Sequence, residues 1–505
     1  MRKIFLKSLV GIACVAGMTS CGDKFLETKY YGGVEAEGAL TDPTVIEYAL
    51  NGTYYQLQRY YFAGNYAFSL GDIASDIVYW VGNNNHQNDL YQFTVNESSI
   101  TLYYVWNYGY KIVDNAARVI EACNALEPEA TGYDLEDLML YEAEARCLRA
   151  YANLYLANIF CHQIMVNGTS YGNDMGLVLV DTPIGAFEPV TRASLTDTYN
   201  FILQDLNEAV SLFNQLGYDR GFVSYFGAAS AYGLLARTQM YLENWGAAAS
   251  AAENAIAISG IDELVYTPEG FEALYAGQYT NTESLFALGI DVVTNWSANS
   301  LGTLYTTYGY SISPYLVSLL SDDDCRKELY TWFGSVDGKV EIYEDENDWY
   351  GLSGDNNYLG GKFYFGFGNT AYANNFLINA PEMFLIAAEA YANQGNVTEA
   401  AENLLVVAKR NNAITSTADL PATAAGILSF LKEERARELF QDGLRFFDLR
   451  RWNETCNLYG VNAPAIDWMY NNVNVSNTVF PIPVDEINTG YGVVQNPDWL
   501  SSMPK

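Results

Sequence analysis

Two stretches of this chain set tryptophan among carboxamides. Tyr79-Trp80 is followed closely by Asn83, Asn84 and Asn85, and Trp296 is flanked by Asn295 and Asn299. An indole offers a flat apolar face to the C–H side of a pyranose ring, while amides and carboxylates meet sugar hydroxyls. Tyr79, Trp80, Asn83, Asn85, Trp296 and Asn299 are therefore the candidate ligand-binding residues. The competing reading of the same residues is ordinary loop packing.

A different chemistry is concentrated at Leu431–Trp452. Six of the chain's 26 lysines and arginines fall there, alternating with Glu433, Glu434, Glu438, Asp442 and Asp448. Glu433 precedes Arg437 by four residues, the favourable order for an ion pair along a helix. Leu428, Leu431 and Leu439 share one helical face, and Gly443 supplies a stop. Beyond it Phe446, Phe447, Leu449 and Trp452 stand between arginines. Arginine forks satisfy carboxylates and backbone carbonyls in half-buried settings, so the stretch reads as a structural clasp. Its arginines are expected to serve folding before they serve a ligand.

Other signals lead nowhere chemically. Gly168-Thr-Ser170-Tyr-Gly172 has the spacing of a nucleophile elbow, but both histidines, His86 and His162, precede the serine, and the hydrolase order needs one after it. Two histidines so far apart do not suggest a zinc site. Asp322-Asp-Asp-Cys-Arg326 reads as a loop turning into a helix, and Gly366-Phe-Gly368 lacks the third glycine of a dinucleotide loop. No catalytic residue, metal ligand or cofactor is nominated. Glycoside hydrolysis stays a rival only because acidic residues are plentiful, and no specific carboxylate pair stands out.

The elements that must position the tryptophans belong to a globular chain. Half of the 505 residues are hydrophobic, 17% are charged and 41 are tyrosine. A formal charge of −34 argues against a nucleic-acid partner, which needs a clustered basic face. Arg2, Lys3 and Lys7 precede the apolar run Leu9–Met18 and then Thr19-Ser20-Cys21. That order reads as a secretory signal too short to span a bilayer. Cys21 after two small residues resembles a lipobox, so residues 1–20 are expected to be removed and Cys21 to carry lipid. Several acyl chains anchor stably where one does not. The sparse cysteines that remain are expected to be buried thiols without a disulfide framework.

Helices are expected from Thr41-Asp-Pro43, from near Trp106, over Glu136–His162 and over Ser194–Phe213. Ala236, Gln239, Glu243, Trp245 and Ala248 recur at the spacing of Ala388, Tyr391, Gly395, Val397 and Ala400. Small residues at close helix contacts around a tight turn are the mechanics of a tetratricopeptide-like hairpin. The expected fold is mainly α: a tetratricopeptide-like helical-hairpin superhelix at about 41–260 and 380–455. A loop-rich subdomain is inserted at about 261–379, and a tail runs over 456–505.

Eight motifs in order resemble the SusD/RagB family. They are Cys21–Glu27, Trp106–Asn115, Leu148-Arg-Ala-Tyr151, and Arg192 to Asp205 with Tyr199 and Ile202. Next come Ala231–Ala255, Glu382–Ala401, the arginine-rich stretch, and Pro481-Ile-Pro483 with Gln495-Asn-Pro497. Asn379-Ala380 departs from the arginine often found before Pro381-Glu382. The resemblance implies a SusD-like, non-enzymatic lipoprotein facing the exterior of the outer membrane. It would capture oligosaccharides and deliver them to a SusC-like TonB-dependent transporter. Alternatives are a peptide-import variant of the family and a helical-repeat scaffold that binds protein. It also makes Trp106, Trp245, Trp452 and Trp499 scaffold residues and favours N-terminal and inserted loops for ligand aromatics.

Overall fold

A computed structural model describes residues 40–80, 84–185, 187–277, 281–334, 341–342, 358–359, 361–363, 369–460 and 463–504. The expected signal segment, Cys21, Asn83 and much of the expected insertion around Trp349 lie outside the described residues.

Helix α1 (Pro43–Gln58) starts where expected: Asp42 accepts a hydrogen bond from Val45 N at 3.2 Å, and Pro43 sits in the first turn. Its inner face is Ile46, Leu50, Thr53, Tyr54 and Leu57. Tyr48 lies off that face and is exposed. The stretch after it contains α2 (Tyr66–Ile73), buried almost throughout, and the strand β1 (Val78–Trp80).

Helix α3 (Ile100–Leu126) forms a hairpin with α4 (Tyr133–Phe160). From Leu140 onward α4 is enclosed on nearly all sides, by α1, α3 and α5 (Leu195–Leu216). Such a helix cannot be amphipathic, and its buried leucines each contribute roughly 1.5–3 kcal/mol. Its polar interior is held by arginine forks. Arg149 clamps Asp205 of α5 at 2.8 and 2.7 Å and the carbonyls of Val180 and Asp181.

The repeat is seen in α6 (Ala228–Tyr241) with α7 (Trp245–Ser259). Between α7 and its second copy run β2 (Ser284–Leu288), β3 (Tyr310–Ile312) and β4 (Asn375–Asn379). The second copy is α8 (Ala380–Asn393) with α9 (Val397–Ala408). Glu243 and Gly395, equivalent in the repeat, both take left-handed backbone at φ +55 and +81. Helix α7 packs against α8, and Arg237 of α6 clamps Glu382 of α8 at 2.7 and 2.6 Å. Strand β2 pairs antiparallel with β4, and β1 with β3, so residues about 90 and about 230 positions apart share small two-stranded sheets.

Helices α10 (Ala424–Glu438) and α11 (Arg445–Trp452) carry the clasp, followed by the hairpin of β5 (Thr455–Gly460) and β6 (Ala463–Asn474). Thr423 caps α10, and the turn between α10 and α11 passes through Gly443 at φ +71. That glycine abuts α2: a Cβ there would stand 2.1 Å from the Phe68 carbonyl oxygen.

Among the described residues no helix is long and apolar enough to cross a membrane. Cys123, Cys147, Cys161, Cys325 and Cys456 are unbridged and buried. Burial pushes the Cys325 thiol up to about 12, which leaves little thiolate for reaction.

Candidate functional site

The tryptophans singled out in the sequence end in different surroundings. Tyr79 and Trp80 are each only 3% exposed. Trp80 stacks on Tyr310 at 5.7 Å with 10° between the planes, and its Nε1 donates to the Tyr308 carbonyl at 3.1 Å. The β1–β3 pairing puts both rings under the surface. The expectation of an open platform at Tyr79-Trp80 therefore does not match this geometry: pairing with a strand some 230 residues away turned the motif inward. What Trp80 supports is the layer above it, where the His86 and Tyr308 rings stack at 3.7 Å. Asn84 Nδ2 donates to the Tyr308 carbonyl at 2.9 Å, and Asn85 is exposed.

Trp296 is half-buried at the surface. Its Nε1 donates to the Gln58 carbonyl at 2.9 Å, which fixes the ring against the end of α1. Asn299 contributes its backbone carbonyl, accepting from Asn65 Nδ2 at 2.9 Å.

Around Trp296 the fold gathers a patch of aromatics. Tyr55 and Tyr60 lie 6.1 and 6.0 Å from it, and the Arg59 guanidinium sits 4.8 Å from its ring. Tyr61 stacks on Tyr104 at 4.1 Å and lies 4.4 Å from Tyr108. Tyr66, 5.5 Å from Tyr60, extends the patch toward Tyr308. Burial and these neighbouring hydroxyls push its phenol up to about 12. The Tyr60 hydroxyl and the Arg59 guanidinium hold the Tyr61 phenol below its ordinary value. Apart from exposed Tyr55, these rings are half-buried: each has a packed side and an open side. Beside them a hollow of about 230 Å³ is lined by Asn51, Tyr55, Gln58, Ser224 and Tyr225.

This patch brings together the end of α1, one face of α3 and the loop before β3. Sequence reasoning missed Arg59, Tyr60, Tyr61, Tyr104 and Tyr108. A signal existed, since Tyr104, Tyr108 and Lys111 are spaced by four and three, which places them on one helical face.

The clasp is paired internally, as its composition suggested. Arg435 clamps Asp448 at 2.8 and 3.1 Å, and Arg451 bridges Asp448 at 2.9 Å and Glu389 at 2.6 and 2.7 Å. Trp452 Nε1 also donates to Glu389, at 2.8 Å. Glu434 lies between Arg326 and Arg437; burial alone would raise its pKa, but the two guanidinia hold it down at about 2. Among the described residues no carboxylate pairs with Arg450; it donates to the carbonyls of Asn158 and Cys161 at 2.5 and 2.8 Å, and burial pushes it down to about 10.

The rejected motifs are explained too. Asp324 clamps Arg326 at 2.9 and 2.7 Å, and Asp322 pairs with Lys327 at 2.6 Å. Thr169–Ser170 pairs with Met165–Val166 in a tight hairpin, a geometry unlike a nucleophile elbow.

Residues 326–499 match the model of the SusD family, and residues 24–242 match a second, SusD-like model described as starch-binding and associating with the outer membrane. The chain belongs to the SusD family. The SusD fold also recurs among solved structures. A putative sugar-binding protein from Bacteroides vulgatus is 21% identical, with TM-score 0.75, 91% of this chain and 99% of that one covered. A SusD superfamily protein from the same species is 24% identical, with TM-score 0.75 and the same coverage. Another, from Bacteroides thetaiotaomicron, is 20% identical, with TM-score 0.76, 90% of this chain and all of that one covered. No curated protein matches the chain.

Proposed function

We propose that this SusD-family protein is a non-enzymatic glycan-binding lipoprotein of the outer membrane. It is anchored through Cys21, captures oligosaccharides and delivers them to a SusC-like TonB-dependent transporter. The observation that carries the binding role is the half-open patch of Trp296, Tyr55, Tyr60, Tyr61, Tyr104 and Tyr108 on a rigid helical frame. Pyranose faces stack on such rings, and the tyrosine hydroxyls and Asn51 or Asn299 nearby suit sugar hydroxyls. Membrane association is supported by the lipobox-like Thr19-Ser20-Cys21 and by the description of the matching family model. Within the site, Trp296 and Asn299 act at the surface, while Tyr79 and Trp80 act from beneath, through Tyr308 and Asn84; Asn83 and Asn85 are the further candidate contacts.

The test is calorimetry of residues 22–505 against plant, host and microbial glycans, with product analysis. Saturable binding without cleavage, lost when Trp296 and Tyr61 are both changed to alanine, is the expected result. Released product would overturn the non-enzymatic role, and binding to peptides alone would overturn the glycan. Co-purification with a transporter from the native outer membrane tests delivery.

A further inference from the structure

The aromatic patch also has an unusual charge pattern. Among the described residues, fourteen of the nineteen lysines and arginines have a carboxylate oxygen within 4.0 Å. Of the other five, Arg192 and Arg450 donate to backbone carbonyls, and Lys409 lies over the Tyr266 ring. The last two, Arg59 and Lys111, both lie against a single ring of the patch. The Arg59 guanidinium is 5.7 Å and the Lys111 ammonium 4.2 Å from the centroid of Tyr108.

Neither cation is held by the usual means. Arg59 donates to the Tyr55 hydroxyl at 3.1 Å and lies near the rings of Trp296 and Tyr61, while its Nε has no hydrogen-bond partner among the described residues. Lys111 is exposed. Ring quadrupoles orient a cation without cancelling its charge, so both retain their full attraction for an anion. On a chain of net charge −34 this is unexpected. Carboxylates outnumber cations more than two to one, yet among the described residues none pairs with these two. The long-range field repels an anionic ligand, but it is screened within about 8–10 Å at physiological ionic strength. At contact distance the two cations dominate.

We propose that the patch selects glycans bearing an anionic group, with the sugar rings on the tyrosines and Trp296 and the carboxylate or sulfate between Arg59 and Lys111. This rests on the glycan-capture reading above and names the class of sugar within it. Arg59 supplies a fork for two oxygens of the anion, and Lys111 a movable point charge.

The test uses the mature chain and pairs of glycans that differ in a single charged group: oligogalacturonate against its methyl ester, and chondroitin sulfate methyl ester against unsulfated chondroitin methyl ester. The expected result is preferential binding of the charged member of at least one pair, weakened by added salt. Which pair responds separates carboxylate from sulfate as the source of the charge. Lys111→Gln should lower that affinity about tenfold at an unchanged melting temperature, since the side chain is exposed. Arg59→Lys should retain more affinity than Arg59→Gln. Equal binding within both pairs, or binding confined to neutral glycans of the wider panel, overturns the charge selection and leaves glycan capture standing. Failure to bind any glycan overturns both.

Discussion

Arg445 and Asp76 are 369 residues apart in sequence and form a two-pronged ion pair, Nε to Oδ1 at 2.8 Å and NH2 to Oδ2 at 2.9 Å. The pair closes the floor of a cleft of about 810 Å³ whose walls include Tyr315, Lys432 and Trp452. It joins the end of the clasp to the start of β1, so the arginine is a fastening inside the fold. Arg445→Ala would leave the Asp76 carboxylate buried and uncompensated, which costs about 3–5 kcal/mol. Chemical denaturation should show that loss, with glycan affinity unchanged at temperatures where the variant stays folded. Lost affinity at an unchanged midpoint would assign the cleft to the ligand.

Gly443 predicts a second large effect. Its backbone is left-handed, and an added Cβ would collide with the Phe68 carbonyl of α2. Strain and collision act together, so Gly443→Ala should cost about 3 kcal/mol or more. Gly395→Ala shares the left-handed backbone but has open space around it, and should cost only about 1 kcal/mol. Comparing the two unfolding midpoints separates the collision from the strain.

Asp72 makes stability depend on pH. It is fully buried; Oδ2 accepts from Gly443 N and the Tyr305 hydroxyl, while Oδ1 has no partner among the described residues. Burial pushes its pKa from 3.8 up to about 7. The folded state then holds a proton that the unfolded chain releases, so the stabilisation is complete below about pH 4 and is lost as pH rises through 7. Asp72→Asn keeps an acceptor for both donors and cannot ionise. Between pH 4 and 8 the wild type should therefore lose a few kcal/mol relative to the variant. Parallel denaturation profiles across that range would show that Asp72 titrates normally.

The two tryptophans should separate cleanly. Trp80→Ala empties a buried site and should cost about 3–5 kcal/mol. Trp296→Ala removes a half-open ring and should cost about 1 kcal/mol while weakening glycan binding at least tenfold. Melting curves and calorimetry on both proteins check this; loss of stability alone in the Trp296 variant would remove it from the site.

Helices, hairpin repeat and clasp were legible because their signals are local. Glu243 and Gly395 mark equivalent turns, and the arginines of Leu431–Trp452 sit within a few residues of several of their carboxylates. The aromatic patch was not legible, because it is assembled by tertiary folding. Arg59 follows α1, Tyr104 and Tyr108 lie on α3, and Trp296 arrives from a loop almost two hundred residues later. The enclosure of Trp80 was not legible for the same reason: asparagines follow it at Asn83–Asn85 in sequence, whereas its neighbours in space are Tyr91 and Tyr310. A tryptophan beside asparagines looks open until its partner strand is known.

Arg326 reaches Glu434 and Glu438 of α10, while Arg410 joins Glu438 to Glu283, so three distant stretches divide one set of counter-charges. Cutting a surface loop between β2 and β4 leaves those attachments in place. The nicked protein should therefore travel as a single particle in gel filtration under native conditions and separate into fragments only in denaturant. The segment between the two hairpin repeats is riveted to the frame by charge at Glu283 and again at Arg326, and a single break in the chain does not set it free.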